Sequence, residues 1–345
     1  MPSNQPRSST ARRLVHTDQR RRLESVRLTG ALASRGVEPS RVTESTSAIG
    51  PAVVVGGSGW LVAVEHEHHA LSVALLWADT TGVEVLNLVV GSDRAPIFAR
   101  RARCFSPRVV VWTYRDNALV EVEPLGHEPQ HVVPASHEKF SSLIADCGVD
   151  VVREHGVLTG EVLGLEVCRV VEDPEAIDGV RLEIGVGAHD RETFRLVHGA
   201  VATGEQLMDV ARTVTAIRSD ASAQHPLARL GIERLLRSRV VASPGIVGAR
   251  TLRVAEPPVK RDNVKDPVPC IAVGESTDGS PLVVACTAIA DLDVVPYGAD
   301  ARDRLRTDAE LVIVAAPGNV TPSIRRLAGM LERPANFCEV ATHGA

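Results

Sequence analysis

One order of strand-like and helix-like segments occurs in residues 50–124 and again in residues 270–341, and this recurrence constrains the fold more than any other feature of the sequence. Each time, two β-rich runs meet at a glycine-containing turn. A helical segment, a buried strand, a second helical segment with an early proline and a final strand follow. The runs APIFARRARCFSP and TPSIRRLAGMLERP are the second helical segments of the two copies. The pattern predicts two similar ββαβαβ units.

The chain between these units has a different pattern. Residues 125–137 and 243–269 are rich in proline, which predicts two linkers. Residues 138–242 begin with a short helix and end with three helical stretches. The strand-like runs between those helices are 149–155, 157–171 and 180–186. We therefore predict an α/β and α+β multidomain protein, in which the two similar ββαβαβ units flank a central α+β domain.

Residues 1–48 differ from the rest of the chain in charge. Residues 1–45 contain nine arginines and four acidic residues, whereas the whole chain has a net charge of −5. Short termini rich in serine and arginine commonly stay unfolded, so we predict a disordered basic arm. The alternative is an arm that contacts nucleic acid or another acidic partner.

A second basic feature lies in the run PLARLGIERLLRSRV (226–240). Its apolar residues follow helical spacing, and the predicted helix carries Arg229, Arg234, Arg237 and Arg239. Such a helix is either a solvated amphipathic helix or a patch that contacts the phosphates of a nucleic acid. Aromatic residues make up only 3% of the chain, so stacking platforms for single-stranded nucleic acid are scarce.

The run EHEHH (65–69) concentrates residues that bind metals or transfer protons. Its candidate metal ligands are Glu65, His66, Glu67 and His69. On a strand, Glu65 and Glu67 share one face. On a helix, Glu65 and His69 lie one turn apart. The run lacks the HExxH spacing of zinc proteases, so the alternative to a metal site is a polar boundary between a strand and a helix.

The element order of residues 52–114 and 270–340 resembles the core of restriction-endonuclease-like, or PD-(D/E)xK, proteins. The resemblance implies acids on adjacent strands that bind Mg²⁺ or Mn²⁺, with Glu65 and Glu67 as the matching acids, and a lysine that helps to activate water. No lysine of this chain stands two residues after an acid on a strand, and Cys286 and Ala288 occupy the corresponding places of the second unit. The resemblance therefore implies a degenerate nuclease-like fold that serves as a binding or assembly module, with an active metal-dependent nuclease or phosphodiesterase as the alternative.

A third hypothesis is a small-molecule enzyme whose site lies in the central domain. Its candidate residues are Glu161, Glu166, Glu183, His189 and Asp190. If residues 157–171 form one regular strand, Glu161 and Glu166 face opposite sides, which disfavours a carboxylate pair. The candidate catalytic residues of the whole chain are thus Glu65, Glu67, Glu183, His189 and Asp190.

Several classes of protein lack the sequence features that they require. The chain contains neither the GK[ST] of a phosphate-binding P-loop nor the GxSxG of serine hydrolases. Its six cysteines are scattered without a CxxC pair, which disfavours a zinc site of paired cysteines and a disulfide framework. No apolar run is long enough to cross a membrane, and the N-terminus does not have the pattern of a secretory signal. We expect a cytoplasmic protein that does not bind membranes.

Overall fold

The structure is a computed structural model that describes residues 7–91, 93–199, 202–219, 225–260 and 268–342, with side chains from residue 17 onward. Within these ranges the chain forms ten α-helices and fifteen strands in three sheets. This mixed architecture confirms the predicted α/β multidomain class. The first six residues of the predicted arm, part of the second predicted linker and Lys265 lie outside the described residues.

The chain divides into two compact units. Unit 1 comprises Met1–Gly126 and Arg325–Pro334, and unit 2 comprises His127–Ile324 and Ala335–Ala345. None of the described helices is both long enough and apolar enough to span a membrane.

Unit 1 is built on a six-stranded sheet. The strands, in their order across the sheet, are β1 (Val42–Thr46), β2 (Pro51–Val55), β3 (Ser58–Val62), β4 (Val85–Val89), β5 (Arg108–Arg115) and β6 (Ala118–Glu121). The helices are α1 (Arg7–Ala33), α2 (Ala70–Thr81) and α3 (Ala95–Ala102). Strands β3, β4 and β5 are parallel, because α2 and α3 connect them, and the remaining pairs are antiparallel.

The segment predicted to be a disordered arm contains a helix and a strand, α1 and β1. In α1, the apolar residues Leu28, Ala31 and Leu32 follow helical spacing and are buried in a core with Val53 of β2. The numerous arginines concealed this short apolar stripe in the sequence. Hydrophobic burial therefore fixes the C-terminal half of α1 against the sheet.

The central part of unit 2 is a four-stranded antiparallel meander. Its strands are β7 (Asp150–Glu154), β8 (Val157–Val162), β9 (Leu165–Glu172) and β10 (Val180–Ile184), and β7 forms one edge. The helices are α4 (Ala135–Glu138), α5 (Ser141–Asp146), α6 (Gly187–His198) and α7 (Gly204–Ser219). Residues of the sheet, α5 and α7 share one hydrophobic core.

The predicted single strand 157–171 is a hairpin of β8 and β9. Leu163 and Gly164 both have positive φ angles, 48° and 76°, as a two-residue type I′ turn requires. The turn lies in the apolar stretch 162–165, which contains no polar turn residue, and for that reason the sequence pattern did not reveal it. The reversal makes Glu161 and Glu166 cross-strand partners, so the prediction that they face opposite sides is wrong.

The C-terminal part of unit 2 is a five-stranded sheet. Its strands, in their order across the sheet, are β11 (Ala249–Ala255), β12 (Cys270–Ser276), β13 (Pro281–Thr287), β14 (Glu310–Ala315) and β15 (Asn336–Glu339). The helices of this region are α8 (Ile232–Ala242) and α9 (Val294–Leu305), whereas α10 (Pro322–Gly329) begins in unit 2 and belongs to unit 1 from Arg325 onward. Strand β11 lies within the predicted second linker, where neighbouring prolines concealed it. The order β11–β15 repeats the succession of strand directions of β1–β5, but shared topology alone leaves the internal repeat a prediction.

Helix α8 contacts both the central sheet and the C-terminal sheet of unit 2. Leu236 and Val240 pack on the C-terminal sheet. Arg234 and Arg237 point to the carboxylates of the central sheet. The helix thereby positions charged groups between the two sheets.

Candidate functional site

A cavity of about 940 Å³ lies within unit 2, between the edge strands β7 and β11. The β7–β8 hairpin and α8 form one wall, and β11 and β12 form another. Residues 130–133 contribute to its rim. A pocket of this size accommodates a small organic molecule.

Two carboxylates stand side by side in the first wall. Asp150 of β7 and Glu161 of β8 are directly paired across the antiparallel strands, and both line the cavity. Directly opposed residues have Cβ atoms roughly 5 Å apart. Asp150 is exposed to the cavity, whereas the Glu161 side chain is only 4% exposed.

The surroundings of the pair disfavour negative charge. Burial raises the pKa of Asp150, although Arg237 and a hydrogen bond from Ser238 act in the opposite direction. Burial also raises the pKa of Glu161, in spite of Arg237 and Arg234. The neighbouring Glu154 is buried as well, but the same two arginines lower its pKa. The three carboxyl groups therefore differ in their affinity for a proton.

Arg237 holds two of these acids with one guanidinium group. It donates to Glu154 through Nη1 and to Glu161 through Nη2, the latter over 3.0 Å, and its side chain is 1% exposed. Arg234 Nη1 lies 3.0 Å from Glu161 Oε1. Arg237 thus joins the two carboxylates through one charge-assisted hydrogen bond to each, which fixes them in position.

These contacts continue across the central sheet as a charge network of five acids and five arginines. Its members are Glu154, Glu161, Glu166, Asp173, Glu183, Arg169, Arg181, Arg191, Arg234 and Arg237. The opposite charges balance, which lowers the cost of burying them.

The charge network contains several of the predicted site residues. Glu183 contacts Arg181 over 2.5 Å and Arg191 over 3.3 Å, and Glu166 contacts Arg191 over 3.1 Å. Carboxylates neutralised in this way support the fold, so we assign Glu166 and Glu183 to the structural part of the network. Only Glu161 of the network acids lies in the cavity wall.

The other two candidates of the central domain lie at the start of α6. His189 is exposed, and Asp190 accepts a hydrogen bond of 2.6 Å from the backbone N–H of Val186. A carboxylate in the first turn of a helix that caps a free N–H stabilises the helix terminus. The structure thus places Asp190 in a capping role and brings neither residue to the cavity.

The run EHEHH connects β3 to α2 and is neither strand nor regular α-helix. His66 has a left-handed backbone with φ 49°, and Glu67–His69 form a 3-10 helix. Glu65 accepts a hydrogen bond of 2.6 Å from Arg21 Nε. Arg21 thus engages this carboxylate, and the run adopts neither the strand nor the α-helical geometry that the sequence suggested.

The run 226–240, whose arginines are predicted to contact nucleic acid, is not one continuous helix. Gly231, with φ 55°, separates a 3-10 helix at Pro226–Arg229 from α8. Arg234 and Arg237 are buried in the charge network, and Arg239 donates to the carbonyl of Ala341. Arg229 is exposed. A buried guanidinium with two carboxylate partners is not available to phosphate groups.

Arginines of the predicted arm also have intramolecular partners. The guanidinium of Arg27 lies 3.7 Å from the ring centre of Tyr114, and that of Arg35 lies 4.5 Å from the ring centre of Trp112. These cation–π contacts, together with the Arg21 pair, engage part of the positive charge within unit 1.

One group of residues near the cavity escaped the sequence analysis. His131, His155 and Glu256 offer ligand atoms that all lie within 4.8 Å of one another. Burial disfavours the charged form of Glu256, but hydrogen bonds from Arg304 and from the His155 N–H lower the pKa of this carboxyl group. The three histidines of the first predicted linker were the only signal in the sequence, because the partners of His131 lie far along the chain.

No protein-family model, curated protein or solved structure that was compared with the chain matches it. The function is therefore inferred from the geometry of the site.

Proposed function

We propose that the protein is an enzyme that binds a small polar molecule in the cavity of unit 2 and transfers a proton at Asp150. The observation that supports this proposal is the pair of Asp150 and Glu161 in the cavity wall. Both carboxyl groups have a raised pKa, which is the direction of shift that favours acid–base catalysis near neutral pH. This is the small-molecule hypothesis of the sequence analysis, with Asp150 in place of Glu183, His189 and Asp190.

The two carboxyl groups have different roles. Asp150 is exposed to the cavity and is the group that touches the bound molecule. Glu161 is fixed by Arg237 and Arg234 and acts as a positioning residue, because it holds Arg237, whose positive charge acts on Asp150.

The opposite wall indicates the class of molecule. Arg253 of β11 is exposed and lines the cavity. A guanidinium in a cavity favours carboxylate or phosphate groups, since it forms two parallel hydrogen bonds with either. We therefore expect a substrate with one anionic group and one proton that Asp150 can remove.

The test combines binding and turnover. A panel of small carboxylic acids and phosphate esters is screened by thermal shift against the wild type and against Asp150→Asn, Thr251→Trp and Thr215→Trp. Thr251 lines the cavity, so a tryptophan there obstructs it, whereas Thr215 lies on the exposed face of α7 and provides the matched control.

We expect the screen to identify compounds that stabilise the wild type, Asp150→Asn and the control Thr215→Trp but do not stabilise Thr251→Trp. Their conversion, followed by proton NMR, should be slower by about 100-fold or more in Asp150→Asn. Equal binding to Thr251→Trp and the wild type would contradict the proposal.

A degenerate nuclease-like fold acting as a binding or assembly module remains a second proposal. The shared order of hairpin, helix, strand, helix and strand in the two outer sheets supports it.

An active nuclease with Mg²⁺ or Mn²⁺ requires Glu65, which Arg21 engages. Manganese-dependent cleavage of duplex DNA that Glu65→Ala abolishes would support the active form.

A further inference from the structure

We propose that His131, His155 and Glu256 bind one Zn²⁺ ion at the rim of the cavity. Two imidazoles and one carboxylate form the ligand set of many zinc sites that keep an open position for water. His131 and Glu256 line the cavity, so a water molecule that completes the coordination would come from there. The proposal concerns metal binding and is independent of the proton transfer at Asp150.

Two of the three distances between ligand atoms are close to those of a zinc site, and the third, between the two histidines, is within 4.8 Å. His131 Nδ1 lies 3.3 Å from Glu256 Oε1, and His155 Nδ1 lies 3.9 Å from the same oxygen. In a tetrahedral site with bonds of about 2.0–2.1 Å, two ligand atoms are about 3.3–3.4 Å apart. The first distance matches, and the second requires a shift of about half an ångström of the His155 ring.

The ligands are held by an outer shell of hydrogen bonds. Glu256 Oε2 accepts from the backbone N–H groups of both histidines, over 3.3 Å for His131 and 2.7 Å for His155. Arg304 donates to Glu256 Oε1. Hydrogen bonds of this kind orient ligating carboxylates in metal sites. The carboxylate therefore fixes the backbones of the two residues whose rings would share the ion with it.

His155 has one ring nitrogen at the site, Nδ1, and a second, Nε2, that needs a partner of its own. Its Nε2 atom is buried and has no hydrogen-bond partner within the part of the chain that the structure describes. A buried nitrogen without a partner is costly and calls for a water molecule, because the ion would bind this ring through Nδ1. His155 also has a left-handed backbone, φ 51°, at the β7–β8 turn, where its ring is directed by the hairpin rather than by a flexible loop.

The test is an isothermal calorimetric titration of Zn²⁺ into the untagged full chain. The protein is first dialysed against a chelator. Co²⁺ is used in parallel, since its visible absorption reports the coordination number. The variants are His131→Ala and His155→Asn. Asparagine tolerates the left-handed turn, so His155→Asn preserves the hairpin. His189→Ala, which removes an exposed histidine of the same unit, is the control.

We expect one Zn²⁺ per chain in the wild type and in His189→Ala. Affinity should fall by more than about 100-fold in each ligand variant, because even outer-shell changes cost about 10- to 100-fold. Circular dichroism of the variants excludes unfolding as the cause of the loss. Absence of saturable Zn²⁺ binding to the wild type, or binding that a His131→Ala/His155→Asn double variant retains, would overturn the proposal. Because no substrate is present, this outcome does not depend on the acid–base proposal.

Discussion

At the scale of single residues, Asp150 faces a cavity and yet loses part of its hydration. Its position on an edge strand leaves the carboxyl group exposed, whereas the neighbouring walls of the cavity raise its pKa by desolvation. A group that is destabilised in its charged form is a common feature of catalytic sites. The same feature means that the ionised Asp150 destabilises the folded protein at neutral pH.

We predict that Asp150→Asn stabilises the protein at about pH 7 but not at about pH 3. The pKa of Asp150 is raised above its ordinary 3.8 in the folded state. The stability linked to its proton is therefore present below the ordinary value and is lost as pH rises through the raised value. Asparagine cannot ionise and avoids this loss. Thermal unfolding of the wild type and the variant at both pH values measures the difference in stability, and Asp93→Asn, at an exposed position, is the control. An equal change in stability at both pH values would contradict the prediction.

The sequence indicated the central domain as a location for chemistry but not the residues of the site. Glu161 was a candidate because it is an acid in a strand-like run. Asp150 is separated from it by 11 positions in the chain, and only the register of β7 and β8 places the two side by side. Glu256 follows a strand that lies within a predicted linker. Pairing between distant segments creates the site, and periodicity in a sequence reports only local structure.

At the scale of secondary-structure elements, the β8–β9 hairpin and α8 depend on each other. A Cβ atom on Gly164 would lie 2.2 Å from the carbonyl carbon of Arg234, so only glycine permits this approach. Arg218 of α7 is buried and donates to the carbonyls of Leu163, Leu227 and Leu230. The turn is therefore held by two helices that both follow it in the sequence, α7 and α8, and Arg234 is brought within reach of Glu161.

We predict that Arg237→Met destabilises unit 2 by about 3–5 kcal/mol, because it leaves the buried acids Glu154 and Glu161 with one arginine fewer. Arg212→Met is the matched control. It removes an exposed arginine paired with Asp209 one turn away, and we expect a change below about 1 kcal/mol. Urea unfolding followed by circular dichroism measures both variants. Equal effects of the two substitutions would show that the charge network does not stabilise the fold.

Elements with strong apolar periodicity were predicted well, and elements with exposed faces were not. The strands and helices from 51 to 121 agree with the predicted order. Strand β1 has no fully buried residue, and β11 has only its two end residues buried. Both are edge strands whose partner supplies most of the buried surface, so their own sequences do not alternate clearly.

At the scale of the whole molecule, each unit has a hydrophobic core of its own. Residues of α1 and the six-stranded sheet form one core in unit 1, and the central and C-terminal sheets form two further cores in unit 2. Units with separate cores generally unfold in separate transitions.

We predict that two spectroscopic probes will report different transitions. All three tryptophans, Trp60, Trp77 and Trp112, lie in unit 1, so tryptophan fluorescence reports that unit alone. Arg237→Met should lower the unfolding midpoint detected by circular dichroism and leave the fluorescence midpoint unchanged. A parallel shift of both midpoints would indicate that the two units unfold together.

The acids of the charge network are synthesised before the arginines of α8 that pair with them. Arg237 follows Glu161 by 76 residues and Glu154 by 83 residues along the chain. At roughly 5–20 residues per second, the ribosome delivers this arginine roughly 4–17 seconds after the acids. During that interval the carboxylates of β7 and β8 have only water as a partner. A nascent chain that stops before α8 therefore carries a central sheet in which Glu154 and Glu161 remain hydrated, and these acids gain their arginine partners only when the later helix emerges.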